Sequence, residues 1–302
     1  MAREAASLAG MTEAGGVAGG GAHLRTRMLA TGRGVAVLDV VCTAPHGGWS
    51  APERGDRWRL VFPRRGVFVR RVDGRETLID PGTAYFAWPD VPQQVAHPCA
   101  GGDACTTIVL DEAALGEVAG SLRGLPDGPV WTDGRLDFAQ RTLLARLRSG
   151  RLRGAEATEQ VLCLVAQVVE RGLSRGPQTT EAHAAARPAT ARARRRLVDV
   201  ARTLVAGDGR SPRLGALARH LGVSPWYLSR VLHAETGQTL ARHRSQVRVR
   251  LALERIAAGE RDLATLAAEL GFADQAHLTR TVRREVGHPP GHVRRLLAAS
   301  DG

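Results

Sequence analysis

A duplicated unit near the C-terminus of this 302-residue chain constrains its fold more than any other feature. Leu217-Ala-Arg-His-Leu-Gly-Val223 overlies Leu266-Ala-Ala-Glu-Leu-Gly-Phe272, an L-A-x-x-L-G-apolar pattern at an offset of 49 residues. One inserted residue later the match resumes at an offset of 50, pairing Leu228-Ser-Arg230 with Leu278-Thr-Arg280, Glu235 with Glu285 and Gly237 with Gly287. Whatever the first copy folds into, the second must fold into as well.

Each copy reads as helix, tight turn, helix. In the first, Leu214, Leu217, Ala218 and Leu221 share one helical face, and Gly222 stands where a helix end favours a left-handed residue. Val223 then plugs the core, Ser224 is a good N-cap, and Pro225 suits the first helical position. In the second, Gly271 is the stop, Phe272 the plug and Asp274 the cap. Two short helices joined by a glycine turn make a helix-turn-helix, whose second helix lies in the DNA major groove. Any helical hairpin can mimic one such pattern; two copies in register form a much stronger signal.

Charge sharpens this reading. The 42 basic residues are all Arg, which a GC-rich genome explains without any function, but their placement is uneven. Residues 191–302 hold 20 Arg and 10 acids, a net +10, whereas residues 1–190 hold 22 Arg and 20 acids, a net +2. A basic region beside a near-neutral one suits a polyanionic partner, and on charge alone a solvated Arg-rich helical surface competes with it.

Upstream the pattern is different. Between Val35 and Leu110, short apolar runs end at turn residues: Trp58–Phe62, Val67–Val69, Thr77–Ile79, Ala84–Trp88 and Cys105–Leu110. Such spacing predicts a β-barrel or sandwich. Leu136–Leu147 and Thr158–Leu173 carry helical periodicity, the second with a wide apolar face. Ser174–Thr190 has Pro, Gly and small polar residues without a period, as a linker does. The expected organisation is a disordered tail over 1–22 with no signal peptide, a β-barrel domain over 23–173, a linker over 174–190 and a helical domain over 191–302. The fold class is α+β. The longest apolar stretch, Val161–Val169, is too short for a membrane span and is broken by Gln167, so no membrane partner is expected and the setting is cytoplasmic.

The segments SPWYLSRVLHAETGQTL, RVRLALERIAAG and LATLAAELGFADQAHLTRTVRREVGHPPGHVRR resemble the DNA-binding domain of AraC/XylS-family transcription regulators over about residues 195–296. Gly271-Phe272, Asp274-Gln275, Leu278, Arg280, Gly287, Pro290 and Arg294 carry the most diagnostic part of the likeness. Leu232 and Val282 stand where the family often has Phe, and Val293 and His243 where it often has Tyr. His97-Pro-Cys-Ala-Gly-Gly-Asp-Ala-Cys105-Thr is similar to the cupin-type sensory domains fused to some of these regulators.

Helical geometry nominates the DNA-facing residues. With Leu228, Val231 and Leu232 inward, the first recognition helix presents Trp226, Ser229, Arg230 and His233. With Leu278, Val282 and Val286 inward, the second presents Ala276, His277, Arg280, Thr281 and Arg284. Arg matches guanine O6 and N7 through its planar fork, and the resemblance implies base contacts at Trp226, Arg230, His277 and Arg280. Gln238–Ala258 reads as one helix, about 30 Å long and close to the ~34 Å between successive major grooves. Arg242, Arg244, Arg248, Arg250 and Arg255 spread around it as candidates for phosphate contact or for plain solvation.

The N-terminal half shows no catalytic signature. Metal-dependent cupins use a cluster that begins with two His one residue apart, whereas this half has only His23, His46, His97 and His183. It has neither a G-x-S-x-G elbow nor a phosphate-binding glycine loop. We therefore expect no catalytic residue, no cofactor and no metal, with an enzyme carrying a DNA-binding appendage as the alternative. Phe62, Phe68, Trp88 and His97 are the candidate effector pocket. Cys99 and Cys105 flank a turn beside His97, and Cys42 and His46 form a looser pair; a metal or redox role competes with the commoner buried, inert thiol. The expected partners are promoter double-stranded DNA, RNA polymerase and a small-molecule effector. The wide face of Thr158–Leu173 is read either as packing on the β-domain with one side and on a second copy in a homodimer with the other, or as packing wholly within its own subunit against Leu136–Leu147.

Overall fold

The computed structural model describes residues 23–120, 125–174, 188–206 and 212–298. The expected tail, 1–22, and most of the expected linker, 175–187, lie outside the described residues. The chain groups into two units, Met1–Val130 with Arg153–Val169 and Trp131–Leu152 with Glu170–Gly302.

The first unit is built on two sheets. Strands β1 (Leu24–Gly32), β2 (Val35–Cys42), β3 (Trp58–Arg65), β6 (Thr83–Ala87), β8 (Asp103–Leu110) and β9 (Val130–Trp131) form the larger, in the order β1-β2-β8-β3-β6-β9. Strands β4 (Phe68–Val72), β5 (Arg75–Ile79) and β7 (Gln93–Ala96) form the smaller, in the order β5-β4-β7. Strand alternation divides the larger sheet into two buried faces. Val61, Tyr85, Ala87 and Cys105 lie on one face and cluster with Phe68, Ile79 and Val95 of the smaller sheet, which makes the core between the sheets. Leu60, Phe86 and Ile108 point to the other face and are fully buried. With both faces covered, the strands read as near-continuous apolar runs rather than as alternating ones.

Helix α1 (Glu112–Ala119) follows β8, capped by the Asp111 carboxylate, which accepts the Ala114 N–H. Most of α3 (Gly154–Ser174) belongs to this unit, and its Ala157 and Val161 meet Ala30, Gly32, Val35 and Val37 across a shallow cleft. Val161, Leu164, Val165, Val168 and Val169 are all buried within the one chain. The N-terminal part of α3, at Ala157, Thr158 and Val161, lies against β1 and β2.

Helix α2 (Gly134–Arg148) contains Leu136–Leu147 and groups with the C-terminal helices instead of the β-domain where it was expected. The other helices of the second unit are α4 (Pro188–Ala206), α5 (Leu214–His220), α6 (Pro225–Thr236), α7 (Leu240–Ala257), α8 (Leu263–Glu269), α9 (Gln275–Val286) and α10 (Pro290–Leu297). Each repeat copy has its own core. Val198, Ala201 and Val205 of α4 pack on Leu217, Ala218, Leu228, Val231, Leu232 and Leu240. Phe138 of α2 packs with Val249, Leu253, Ile256, Leu266, Phe272, Leu278, Val282 and Val293. The α+β division expected from the sequence is what the chain shows. Among the described residues, no helix is long and apolar enough to cross a membrane.

Candidate nucleic-acid interface

Local chemistry sets both recognition helices. Gly222 and Gly271 adopt φ of +66° and +70°, the left-handed turn that the repeat demanded. The Ser224 hydroxyl accepts the Tyr227 N–H at 3.1 Å, and the Asp274 carboxylate accepts the His277 N–H at 2.6 Å. These caps start α6 and α9 at equivalent points and so bring their outer faces into register with one another.

The structure exposes Trp226, Arg230, His233, Ala276, Arg280 and Arg284, and leaves Ser229 and His277 half-buried. Trp226 is 66% exposed, with the Arg230 guanidinium 4.6 Å from its ring centroid, a cation–π contact one helical turn along. His277 Nδ1 accepts the Ala273 N–H at 3.3 Å, and its ring stands edge-on to Phe272 at 5.5 Å. Arg284 pairs with Glu285 at 3.2 Å.

Thr281 does not belong to this face. It is 1% exposed, set between Leu278 and Val282, and its hydroxyl has no hydrogen-bond partner among the described residues. The repeat carried the signal, because the residue equivalent to Thr281 is Val231, which points inward in the first copy. The same equivalence sets Arg283 against His233, and Arg283 is exposed though the helical projection passed over it. Tyr227, also exposed, was missed beside Trp226.

The arginines of α7 separate by environment. Arg242 is exposed. Arg250 is 3% exposed and donates from Nη2 to the Thr132 carbonyl at 2.9 Å, so it ties α7 to the segment before α2 and is neither solvated nor open to phosphate. Arg255 is held by Glu260 at 3.0 Å and Glu269 at 2.9 Å. Burial, then the nearby charge of Arg248 and Arg213, lowers the pKa of Arg244; burial and Arg213 lower that of Arg248. Arg213, at the N-cap of α5, thus forms a cationic group with the two, and sequence reasoning had overlooked it.

In the first unit the four pocket candidates divide into two pairs. Phe68 and His97 are neighbours, ring centroids 6.3 Å apart, on the side of the inter-sheet core. Phe62 alternates with Val61 and so faces the opposite side of the larger sheet, while Trp88 lies 4.6 Å from Trp58. Of the thiols, Cys99 is exposed and Cys105 is buried. His97 Nε2 lies 2.7 Å from Asp103 Oδ1, and the Cys105 thiol donates to Asp103 Oδ2 at 3.1 Å. Hydrogen bonds to Asp103 first, and then to Cys42, raise the His97 pKa to about 9, while burial pushes the Cys105 thiol up.

Two capped recognition helices on a duplicated frame, within a region of net charge +10, define a DNA-binding transcription regulator. A family described as a helix-turn-helix domain matches residues 217–296. The chain is 33% identical over 84 residues to the regulatory protein SoxS of Salmonella typhimurium, which covers 28% of this chain and 78% of SoxS. SoxS of Escherichia coli K12 is 32% identical over the same length and coverage. Among solved structures, a lysine-to-alanine variant of apo ToxT from Vibrio cholerae aligns with 89% of this chain and 100% of its own, at 10% identity and a TM-score of 0.37. The C-terminal domain of AraT, a response regulator from Geobacillus stearothermophilus, aligns with 35% of this chain and 88% of its own, at 25% identity and a TM-score of 0.33. The chain belongs to the AraC family of transcription regulators and binds DNA.

Proposed function

We propose that this regulator reads two successive major grooves of promoter DNA under the control of a small molecule held by its β-unit. The observation that carries the reading is the pair Arg230 and Arg280, at equivalent repeat positions and both exposed on capped helices. Trp226, Ser229 and His233 flank the first, and Ala276, His277 and Arg284 flank the second. Helix α7 joins the two copies through 18 residues, about 27 Å of helix. Arg242 and the group Arg213, Arg244 and Arg248 meet phosphates. A phosphate there would offset the burial and, after it, the like charge that lower the pKa values of Arg244 and Arg248.

The β-unit acts as a sensor without turnover, with Phe68 and His97 on its effector side. The regulator works in the cytoplasm and contacts RNA polymerase through the surface of the helical unit turned away from DNA. A homodimer would use the outer edge of α3, where Leu173 is exposed.

Selection from random DNA with the full chain tests this reading. The expected consensus has two short motifs centred about 10 base pairs apart, with affinity falling steeply as salt rises. A consensus with a single motif, or binding without sequence preference, would sink the two-groove reading.

A further inference from the structure

We infer that Cys42, His97 and Asp103 form a binding site for a divalent transition-metal ion of the zinc class, with one coordination position left open. The sulfur, imidazole and carboxylate donors of these residues all lie within 4.8 Å of one another. His97 and Asp103 are buried and Cys42 is half-buried. One borderline nitrogen, one thiolate and one carboxylate are the mixed donor set that zinc and its first-row neighbours take.

The fold builds this cluster from three separate places. Cys42 and Asp103 are direct partners across the β2–β8 ladder, which puts their side chains on one face of the sheet. His97 follows the last residue of β7, in the other sheet. The turn between His97 and Asp103 is seated by close backbone approach: a Cβ on Gly102, at φ +62°, would lie 1.9 Å from the Cys42 carbonyl oxygen. A Cβ on Gly66, at φ +82°, would lie 2.2 Å from the Gly102 carbonyl oxygen. No larger residue fits at either glycine without moving the backbone that carries the donors.

Cys42 shares a hydrogen bond with His97, so the three donors converge on one point and do not form an isolated imidazole–carboxylate pair. The nearby Cys105 thiol donates to the second Asp103 oxygen, the place of an outer partner that orients a ligating carboxylate. Arg64, on β3, is engaged by Asp39. A bound cation would take the place of the proton between His97 Nε2 and Asp103 Oδ1. That proton and the Cys42 thiol proton would leave to solvent. The fourth position would accept water or a small donor ligand. The inference concerns the β-unit alone and stands apart from how the helical unit reads DNA.

The full chain with Cys99→Ser and Cys163→Ser, both exposed in the native protein, is the background for the test. Titration with Co2+ should load one ion per chain and produce a thiolate-to-cobalt charge-transfer band. Cys42→Ser in that background should abolish the band while circular dichroism stays native. Cys105→Ala should keep the band and weaken uptake by about 10–100-fold, as loss of an outer partner does. Failure of the background protein to bind Co2+ stoichiometrically, or binding without a thiolate band, overturns the site whatever the variants do. An unchanged band in folded Cys42→Ser overturns it as well.

Discussion

The two helix-turn-helix copies share a frame and differ in what covers it and what it presents. In both, the glycine turn, the plug and the inward leucines occupy equivalent places, because a tight turn and a packed core tolerate few alternatives. Over the first copy lies α4; over the second lies α2, drawn from sequence upstream of the linker segment. Outward, the first recognition helix carries two aromatics, Trp226 and Tyr227, with Arg230 laid over Trp226. The second has no exposed aromatic on α9 and presents Arg280, Arg283 and Arg284 instead. Inward positions stay alike because packing binds them, whereas outward positions diverge because only DNA does. The exposed arginine at 230 and 280 is common to both.

The largest expected effect separates the two covers. Phe138→Ala removes the α2 plug from the second core and should cost about 3–5 kcal/mol. Hydrogen exchange should show amides of α9 opening while those of α6 keep their protection. Equal loss of protection in both helices would mean that the copies share one core.

Base reading should come next. Arg280→Ala should cost about 1–3 kcal/mol on the cognate site and relax preference at one base pair. Arg230→Ala should relax a different position in the same way, and unchanged consensus sequences for both variants would end the proposed equivalence.

Two arginines of α7 offer a further contrast. Arg242→Ala should weaken binding to all sequences alike and reduce the salt slope by about one. Arg250→Ala should lower the melting temperature and leave the salt slope unchanged, since its side chain is spent on Thr132. A reduced slope for Arg250→Ala would place that side chain on the DNA.

The smallest effect restores the symmetry of the repeat. Thr281→Val puts into the second copy the residue type of Val231 and removes a buried hydroxyl without a described partner. It should stabilise the protein by about 1 kcal/mol and leave DNA affinity unchanged. Loss of affinity would return Thr281 to the interface.

The helix-turn-helix frame was legible because each of its elements is announced locally. Gly222 and Gly271, the caps Ser224 and Asp274, and the plugs Val223 and Phe272 depend only on residues a few positions away, and the repeat reads each one twice. Projection onto an ideal helix was less reliable. It turned Thr281 outward, since a residue on the edge of the buried arc is assigned by whatever packs above it, and a projection has no neighbour there.

The β-unit was legible as strands and illegible as a site. Short apolar runs announced β3, β4, β5, β6 and β8 but passed over β1, which lies before them, and the face on which Phe62, Phe68 and Trp88 would meet depends on pairing register, because one residue of slip exchanges the faces. The grouping of Cys42 with His97 and Asp103 follows from the β2–β8 register and from Gly102 against Cys42, contacts between segments about 60 residues apart. Sequence proximity instead suggested Cys99 with Cys105, and Cys42 with His46.

By itself, then, the sequence determined the duplicated helix-turn-helix, its caps and turns, its basic charge and the α+β division, all of which rest on local geometry and on composition. Only the tertiary structure decided that α2 covers the second copy, that Arg250 is an internal tie and that Thr281 is core. It alone decided that Ala157 and Val161 of α3 lie against β1 and β2 and that three distant donors meet beside Cys105. Each of these turns on which surfaces bury one another, and burial is a property of pairs of segments that neither segment encodes alone.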